Sequence, residues 1–306
     1  MTVYAIIVTY NAMRRSWIEH CLRSLSESSV EVTPIVIDNG SSDDTRTFVP
    51  ARFPQAVWLP QDRNMGFGQA NNIGLRYALE HDADYVLLLN QDATIGRDAL
   101  EKMIPLCADD ALVSPLHLNG EGTRLDASFR TCINSLEGEL LDDVLVGHTT
   151  QPSYPGPSLA SGCVIPAACW LLPVSVVKRI GGFNPLFFHY GEDGNYYQRL
   201  HFHHVPVKIC PSAIMCHDRN VCGDATMFNR NKLRRNLLIT AANINLSFLQ
   251  CVRDWLRTLK DCYISDLRQH GYRPGAWASA MAWIASHGPA IRKSRKAEKT
   301  TGTTWL

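Results

Sequence analysis

Long hydrophobic runs are missing from this sequence. A membrane-spanning helix needs about 18 or more consecutive apolar residues, and no window of the 306-residue chain is apolar over that length. The chain begins MTVYAIIVTYN, where no basic segment precedes the short apolar run, so a secretory signal peptide is not expected. These absences argue against an integral membrane protein and predict a cytoplasmic one, which at most lies on the inner face of the cell membrane.

Paired cysteines are missing as well. The sequence contains ten cysteines, but none stands in a Cys-x-x-Cys pair, the usual spacing of zinc-binding and redox-active thiols. Several of them, including Cys163, Cys169 and Cys210, lie within apolar runs. The pattern predicts small core residues in a reducing compartment and argues against a disulfide framework or a zinc site.

The net charge is small, at +1, but it is unevenly distributed. Residues 230–306 contain fourteen Lys and Arg against four Asp and Glu, whereas residues 1–229 contain sixteen against twenty-five. A basic tail suits an anionic lipid surface, and a solvated helix face explains it equally well. No nucleic-acid-binding motif is present, so nucleic acid is not an expected partner.

Short aliphatic runs alternate with helix-compatible segments over the first hundred residues. This alternation predicts an α/β fold with a mostly parallel central sheet flanked by helices. Residues 112–157 show no clear period and predict loops and hairpins, and beyond residue 228 the pattern is helical. We therefore expect one α/β domain over residues 1–228 and a basic helical extension over residues 229–306. The strands predicted along the chain are 3–9, 34–37, 57–59, 85–89, 205–209 and 213–216. The predicted helices are 14–28, 43–51, 68–81, 97–107 and 192–203, with a further short helix that ends at residue 180.

Polar residues follow each predicted strand of the parallel sheet. Ligands of such sheets bind at the carboxyl ends of the strands, so these residues are expected to face one crevice. Asp38, at the end of the second strand in VIDNGSSDDT, can accept a hydrogen bond from a nucleobase imide or a ribose hydroxyl. The polar residues in this position are Thr9, Asp38, Asn39, Arg63, Asn90 and Asp92.

Glycines and amides gather at the start of the third helix, in RNMGFGQANNIGL. Helix N-terminal amides can hold a phosphate or position a neighbouring ring. Gly66 and Gly68 do not form a dinucleotide fingerprint, because they follow the third strand rather than the first. The adjacent Asn71 and Asn72 are unfavourable inside a helix, so we expect a buried hydrogen-bonding role for one of them.

Three further sites are candidates for metal binding and proton transfer. A carboxylate such as Asp92 in NQD can help to hold a divalent cation that neutralises a departing diphosphate, although one aspartate supplies too few ligands by itself. Glu192 and Asp193 open a helix in FFHYGEDGNYYQR, where an acid either favours the helix dipole or serves as a general base. His217 ends a later strand in MCHDRN, and a lone histidine is more often structural than a ligand.

Five motifs taken in order resemble glycosyltransferase family 2 over about residues 1–235: VTYN, VIDNGSSDDT, RNMGFGQANNIGL, LLNQD and GGFNPLFFHYGEDGNYYQRL. The similarity is greatest to the bacterial branch that contains rhamnosyltransferases and galactofuranosyltransferases. The resemblance implies a GT-A fold, a nucleoside-diphosphate sugar donor, a divalent metal (manganese or magnesium) and transfer with inversion at the anomeric carbon. It also implies a saccharide or lipid-linked acceptor in the synthesis of bacterial surface polysaccharide, with dTDP-rhamnose as the first candidate donor.

The same resemblance implies a role for each motif residue. Asp193 would be the catalytic base, and Glu192 would orient acceptor or donor hydroxyls. Asp92 and His217 would hold the metal, with Asn90 beside them in the position of the first acid of the family's DxD motif. The nucleoside and the donor sugar would be contacted by Thr9, Asp38, Asn39, Arg63, Gly66, Phe67 and Asn71.

Three positions depart from the family pattern. Asn90 replaces the first acid of DxD, Asn184 replaces the aspartate of the GGFD segment, and Asn195 replaces the second aspartate of EDxDL. The last two changes could weaken acceptor handling or local capping, but they leave the proposed base in place. Trp170 falls in the strand that usually borders the acceptor.

Alternative functions stay open at this point. UDP-galactofuranose or another UDP-sugar could replace dTDP-rhamnose as the donor, and an inactive GT-A domain could bind sugar nucleotide without turnover. A nucleotidyltransferase is disfavoured, because VTYNAMRR lacks the glycine-rich basic loop that such enzymes place after the first strand. The basic extension, rich in tryptophan and leucine, suits either a membrane surface or a homodimer interface.

Overall fold

The computed structural model describes residues 1–133, 151–159, 162–219, 225–270 and 274–306. The strands are β1 (Val3–Thr9), β2 (Thr33–Asp38), β3 (Val57–Pro60), β4 (Tyr85–Leu89), β5 (Ala93–Ile95), β6 (Leu112–Asn119), β7 (Tyr154–Pro155), β8 (Cys169–Pro173) and β9 (Val207–His217). The helices are α1 (Trp17–Ser26), α2 (Thr45–Arg52), α3 (Phe67–Glu80), α4 (Ala99–Met103), α5 (Ala127–Ile133), α6 (Val174–Ile180), α7 (Glu192–Phe202), α8 (Ala225–Ala242), α9 (Phe248–His270) and α10 (Pro274–Glu298). Among the described residues, no helix is long and apolar enough to cross a membrane.

One mixed sheet organises the described residues. Its strand order is β3-β2-β1-β4-β8-β6-β9-β5, with β7 beside β9. The first four strands are parallel, and Thr9 lies opposite Asp38 at their carboxyl ends. β8 then joins β4 and β6 by antiparallel pairing, while β9 runs parallel to β6. The predicted α/β architecture is confirmed, and its parallel part presents the polar strand ends along one edge.

Hydrophobic side chains fill both faces of the sheet. Alternate residues of β1 point to opposite faces, so Ile7 packs with α1 and α4 while Ile6 packs with α3 and α6. α3 comes especially close to β1 at Gly74, where a Cβ atom would lie 2.6 Å from Cγ2 of Ile6. Only glycine allows this approach, which fixes the distance of α3 from β1 and hence the position of the loop before α3.

The C-terminal helices pack on one another and on the region around α7. α8 contacts both α9 and α10, and Phe187 from the loop before α7 packs with Leu238 and Ile291. Beyond α10 the chain returns to the α/β body, because the amide of Gly182 donates to Thr304 O at 2.8 Å and the amide of Gly302 donates to Arg179 O at 2.9 Å. The predicted division at residue 228 stays a prediction, and the structure shows how closely the two parts are joined.

Two local predictions were wrong. Residues 112–119 form a buried central strand, β6, and residues 127–133 form a helix, where loops and hairpins were predicted; residues 134–150 of that segment lie outside the described part of the chain. The period of β6 was obscured by buried polar residues, since the hydroxyl of Ser114 lies 3.1 Å from Nε2 of His117 inside the core. Residues 207–217 form one strand instead of two, with a register shift opposite Pro115.

Candidate active site

Thr9 and Asp38 lie side by side at the ends of β1 and β2, and both are fully buried. The Asp38 carboxylate accepts the amide hydrogen of Ser41 at 3.3 Å and stands 3.1 Å from Nε of the half-exposed Arg46. The hydroxyl of Thr9 lies 3.5 Å from the same carboxylate. A nucleoside that contacts Asp38 would therefore have to displace the groups that cover it, Arg46 among them.

The loop after β1 and the turn after β2 form one hydrogen-bonded unit. The side-chain oxygen of Asn11 accepts the amide hydrogen of Ser42 at 2.8 Å, and the amides of Ala12 and Met13 donate to Thr45 Oγ1 and Asp43 Oδ2 at 2.9 and 3.1 Å. The polar residues of VTYN and GSSDDT therefore hold two loops together, which gives the crevice a fixed wall.

Asn39 shapes the loop that precedes α3. Its amide nitrogen donates to Oδ1 of Asn64 at 3.0 Å, and its oxygen accepts the amide hydrogen of Met65 at 2.8 Å. Asn39 is itself buried, whereas the neighbouring Arg63 is exposed. In this arrangement Asn39 positions the loop, and Arg63 is the residue of the pair that a ligand can reach.

The start of α3 lies against the segment that leads into α7. Gly66 has φ = +85°, and a Cβ atom there would lie 2.0 Å from the carbonyl oxygen of Phe188, which also accepts the amide hydrogen of Phe67 at 3.2 Å. Two residues further on, a Cβ at Gly68 would lie 3.4 Å from Cβ of Glu192. The predicted donor-pocket residues therefore adjoin the predicted catalytic pair.

Both adjacent asparagines of α3 make buried hydrogen bonds, as the sequence predicted for one of them. Asn71 donates to Phe67 O within the helix at 3.0 Å. Asn72 donates to Phe183 O at 2.8 Å and accepts the amide hydrogen of the same residue at 2.6 Å. Asn72 therefore anchors the loop before α7 to α3.

Asn90, Asp92 and His217 come together although 125 residues of sequence separate Asp92 from His217. His217 Nε2 lies 3.1 Å from Oδ1 of Asp92 and 3.4 Å from Nδ2 of Asn90, because β5 and β9 pair with Ala93 opposite His217. The Asn90 Oδ1 atom is buried and has no hydrogen-bond partner.

These three side chains would form only part of a metal site. Over the described ranges of the chain, no group of three or more His, Cys, Asp and Glu side chains is arranged to hold a metal ion. A carboxylate, an imidazole and an unpartnered amide oxygen nevertheless fit Mn²⁺ or Mg²⁺, which commonly keep water and substrate phosphate oxygens as their other ligands.

Neighbouring side chains hold this cluster in place. Gln91 pairs with the backbone of Tyr10: its Oε1 accepts the Tyr10 amide hydrogen at 2.8 Å and its Nε2 donates to the Tyr10 carbonyl at 3.3 Å. Asp218 accepts a hydrogen bond from the indole Nε1 of Trp17 at 2.8 Å. The loops after β1, β4 and β9 are thus joined around the cluster.

Glu192, which is buried, and Asp193, which is partly buried, form an acidic pair at the start of α7. Burial, and secondarily the adjacent Asp193, raises the pKa of Glu192 to about 8, and its Oε2 atom has no hydrogen-bond partner. Burial also raises the pKa of Asp193, although its carboxylate accepts the amide hydrogen of Gly194 at 2.8 Å. The raised pKa favours the protonated form of Glu192, which can donate a hydrogen bond, as an orienting residue beside a base requires.

Two aromatic side chains, Phe187 and Trp170, are buried in the protein. Phe187 packs against α8 and α10. Trp170, in the strand expected to border the acceptor, stacks on Phe183 with ring centroids 6.4 Å apart. The exposed aromatic rings near the acidic pair are those of Phe188 and Tyr190.

No role was predicted for Glu298, which is 1% exposed and lies in the last turn of α10. Two of the three asparagines that depart from the family pattern donate to its carboxylate, Asn184 at 2.7 Å and Asn195 at 3.3 Å. One signal was visible in the sequence, since Glu298 is the single acid in the basic stretch IRKSRKAEK.

The geometry agrees with comparisons to known proteins. Residues 4–133 match the family described as glycosyl transferase family 2. Residues 4–133, less than half of the chain, are therefore similar to glycosyltransferase family 2. A mannosyltransferase from Pyrobaculum calidifontis, solved with GDP-Man and Mn²⁺, superimposes with a TM-score of 0.56 at 16% identity, over 97% of this chain and 83% of that one. This superposition confirms the GT-A fold.

Two curated relatives are more similar in sequence to this chain than the mannosyltransferase is. The low-salt glycan biosynthesis hexosyltransferase Agl10 of Haloferax volcanii is 26% identical over 199 residues, which cover 63% of this chain and 61% of the relative. The dTDP-rhamnosyl transferase RfbF of Shigella flexneri is 30% identical over 101 residues, 33% of each chain. The chain thus spans less than two thirds of each of these relatives.

Proposed function

We propose that the chain is a metal-dependent, inverting glycosyltransferase that moves a sugar from a nucleoside-diphosphate donor to a saccharide or lipid-linked acceptor. The observation that carries the proposal is the meeting of Asn90 and Asp92, from the end of β4, with His217 from β9. The match of residues 4–133 to glycosyltransferase family 2 supports the class of reaction, and the position of Glu192 against Gly68 supports one shared crevice for donor and acid.

The chain's own residues account for the proton and the orientation. Asp193 takes the proton of the acceptor hydroxyl while that oxygen attacks the anomeric carbon, and the bond from this carbon to the diphosphate breaks, with the electron pair leaving on the diphosphate. Attack opposite the leaving group inverts the anomeric carbon. Protonated Glu192 donates a hydrogen bond to a sugar hydroxyl. A divalent cation held by Asp92, His217 and Asn90 would neutralise the leaving diphosphate.

A thermal-shift screen tests the proposal. dTDP-rhamnose, UDP-galactofuranose, UDP-glucose and GDP-mannose are each added with and without Mn²⁺, and hydrolysis of the donor is followed in parallel. We expect one nucleotide sugar to raise the melting temperature only with metal, and Asp92→Asn to abolish this shift. The control Glu27→Gln, at an exposed site after α1, should retain it.

Two outcomes would contradict the proposal. A shift that is indifferent to metal and unchanged by Asp92→Asn would remove the metal site. Tight nucleotide binding with no turnover of any donor would instead support an inactive, sugar-nucleotide-binding GT-A domain.

dTDP-rhamnose is our first candidate donor. The similarity to RfbF, named as a dTDP-rhamnosyl transferase, supports it, while Agl10, named as a hexosyltransferase, supports only the wider class. UDP-galactofuranose and other UDP-sugars are the alternatives. The acceptor would then belong to a bacterial surface polysaccharide. Tests of acceptors begin once the donor is identified.

We also propose that α9 contacts an anionic membrane surface. Its exposed apolar side chains include Leu249, 78% exposed, and Leu256, 57% exposed. On a helical projection, Arg253, Arg257 and Lys260 flank this stripe on one side. An apolar stripe beside a basic one suits the interface of anionic lipid, where a lipid-linked acceptor would be found.

Point substitutions test the membrane contact. The double variant Leu249→Ser, Leu256→Ser should lose co-sedimentation with phosphatidylglycerol vesicles, while Lys299→Gln, an exposed change outside α9, should not. Unchanged sedimentation would refute the proposal. A variant that instead converts a dimer to a monomer in light scattering, with no effect on vesicle binding, would identify the stripe as a homodimer interface.

A further inference from the structure

The buried carboxylate of Glu298, in the last turn of α10, contacts the residues that flank the acidic pair Glu192 and Asp193. Glu298 accepts hydrogen bonds from Asn184 at 2.7 Å and from Asn195 at 3.3 Å, and its backbone carbonyl lies 2.8 Å from Nε2 of His203. Asn184 and Asn195 stand on either side of Glu192 and Asp193 in the sequence. One side chain from a distant helix therefore holds the chain both before and after the proposed base.

The charge of Glu298 is compensated inside the protein. Arg199 of α7 is fully buried, and its attraction opposes the effect of burial, which on balance raises the pKa of Glu298. The Arg199 guanidinium also donates to the carbonyl oxygens of Gly182 and Ile180 and lies 5.2 Å from the ring centroid of Tyr196. The carboxylate and the guanidinium together tie α7 to the loop that precedes it.

The amides at positions 184 and 195 match this arrangement. An asparagine can donate a hydrogen bond to a carboxylate, whereas an ionised aspartate cannot. Asn184 uses its oxygen as well, accepting the amide hydrogen of Leu186 at 2.9 Å, and its nitrogen also donates to Ser294 Oγ at 2.6 Å. The loop from Asn184 to Gly191 is thereby fixed at its start by α10.

We propose that Glu298 is a positioning residue, which acts through Asn184 and Asn195 to set the first turn of α7 and thereby the place of Asp193 relative to the bound donor. This inference rests on the proposed function, since it assigns Asp193 the role of base. A base that is misplaced by an ångström loses much of its effect even when the donor still binds. Glu298 should therefore affect the rate of transfer much more than donor affinity.

Glu298→Gln tests the inference, with Lys299→Gln as the adjacent exposed control. We expect kcat to fall at least tenfold with the donor KM unchanged, and amide hydrogen exchange to become faster within residues 184–199. The double variant Glu298→Gln, Asn195→Asp reverses the donor and acceptor of one hydrogen bond and returns a carboxylate beside Arg199. We expect it to recover most of the lost kcat.

A purely structural role gives a different result. If Glu298→Gln lowers the melting temperature but leaves kcat unchanged where the protein is folded, the inference is wrong. Should that variant fail to fold, Asn195→Ala, which removes only one hydrogen bond to Glu298, must lower kcat without raising KM, or the inference is also wrong.

The proposed function can fail separately. A wild-type chain that turns over no nucleotide sugar removes the reaction, while the exchange measurement still reports whether Glu298 orders residues 184–199. Unchanged exchange there would refute the positioning role whatever the activity.

Discussion

Glu192→Gln should make the protein less sensitive to rising pH. In the folded chain burial raises the pKa of Glu192 from 4.5 to about 8, whereas the unfolded chain titrates near the ordinary value. Between these two pH values the folded state holds a proton that the unfolded state has released. The contribution of Glu192 to stability is therefore greatest below pH 4.5 and is lost as the pH rises towards 8.

The size of the effect follows from the same shift. Each pH unit within this window changes the free energy of unfolding by about 1.4 kcal/mol for one proton. Between pH 5 and pH 7 the wild type should therefore lose about 2–3 kcal/mol relative to Glu192→Gln, which has no proton to release at this position. Asp193 is present in both proteins. The difference between their free energies of unfolding therefore reports the ionisation of Glu192 and its repulsion with Asp193.

Urea unfolding followed by tryptophan fluorescence at pH 5, 6, 7 and 7.5 measures this difference. The curve of stability against pH should slope downward more steeply for the wild type than for Glu192→Gln, whereas Glu27→Gln, at an exposed carboxylate, should follow the wild type. Parallel curves for the wild type and Glu192→Gln would show that Glu192 is ionised in the folded protein, and the proposed orienting hydrogen bond from its proton would fail with them.

Three substitutions probe the rest of the site. Asp193→Asn should reduce transfer by about 10²–10⁴ while the melting shift produced by the donor persists; a loss of that shift would assign Asp193 to donor binding instead. Gly66→Ala should destabilise the protein by at least about 1–3 kcal/mol because residue 66 has a positive φ, and the added Cβ would also meet Phe188 O. An unchanged urea midpoint would contradict this prediction. Asn72→Ala should cost about 1–3 kcal/mol for each backbone group of Phe183 left unpartnered, measured by the same unfolding assay and compared with Gln69→Ala at a half-buried site on the same helix.

Local sequence patterns were enough for the parallel half of the fold. β1, β2, β3 and β4 are continuous apolar runs, and their polar followers lie at the strand ends as expected. β6 was missed because the buried Ser114 and His117 break its apolar pattern and satisfy each other only within the folded core. The spacing of apolar residues predicts a strand only when the residues that face the core are apolar. It therefore misses a strand in which polar residues are buried as hydrogen-bond partners of one another.

The candidate site was predictable to a similar degree. The resemblance brought Asp92 and His217 together, and pairing of β5 with β9 places them within hydrogen-bonding distance. The burial of Asp38 beneath Arg46, and the contact of Glu298 with Asn184, depend on side chains that meet only after packing. No spacing in the sequence encodes such contacts, because each joins segments whose separation is set by the whole fold.

The hydrogen bond from Trp17 to Asp218 gives the candidate site an intrinsic optical reporter. Trp17 is nearly buried, and its indole nitrogen is bonded to the residue that directly follows His217. Indole emission responds to changes in the charge and polarity around the ring, so movement of His217 should alter the emission of this one tryptophan. Subtracting the signal of Trp17→Phe from that of the wild type would separate it from the other six tryptophans. Titrations of metal and nucleotide could then be followed in solution without an attached dye.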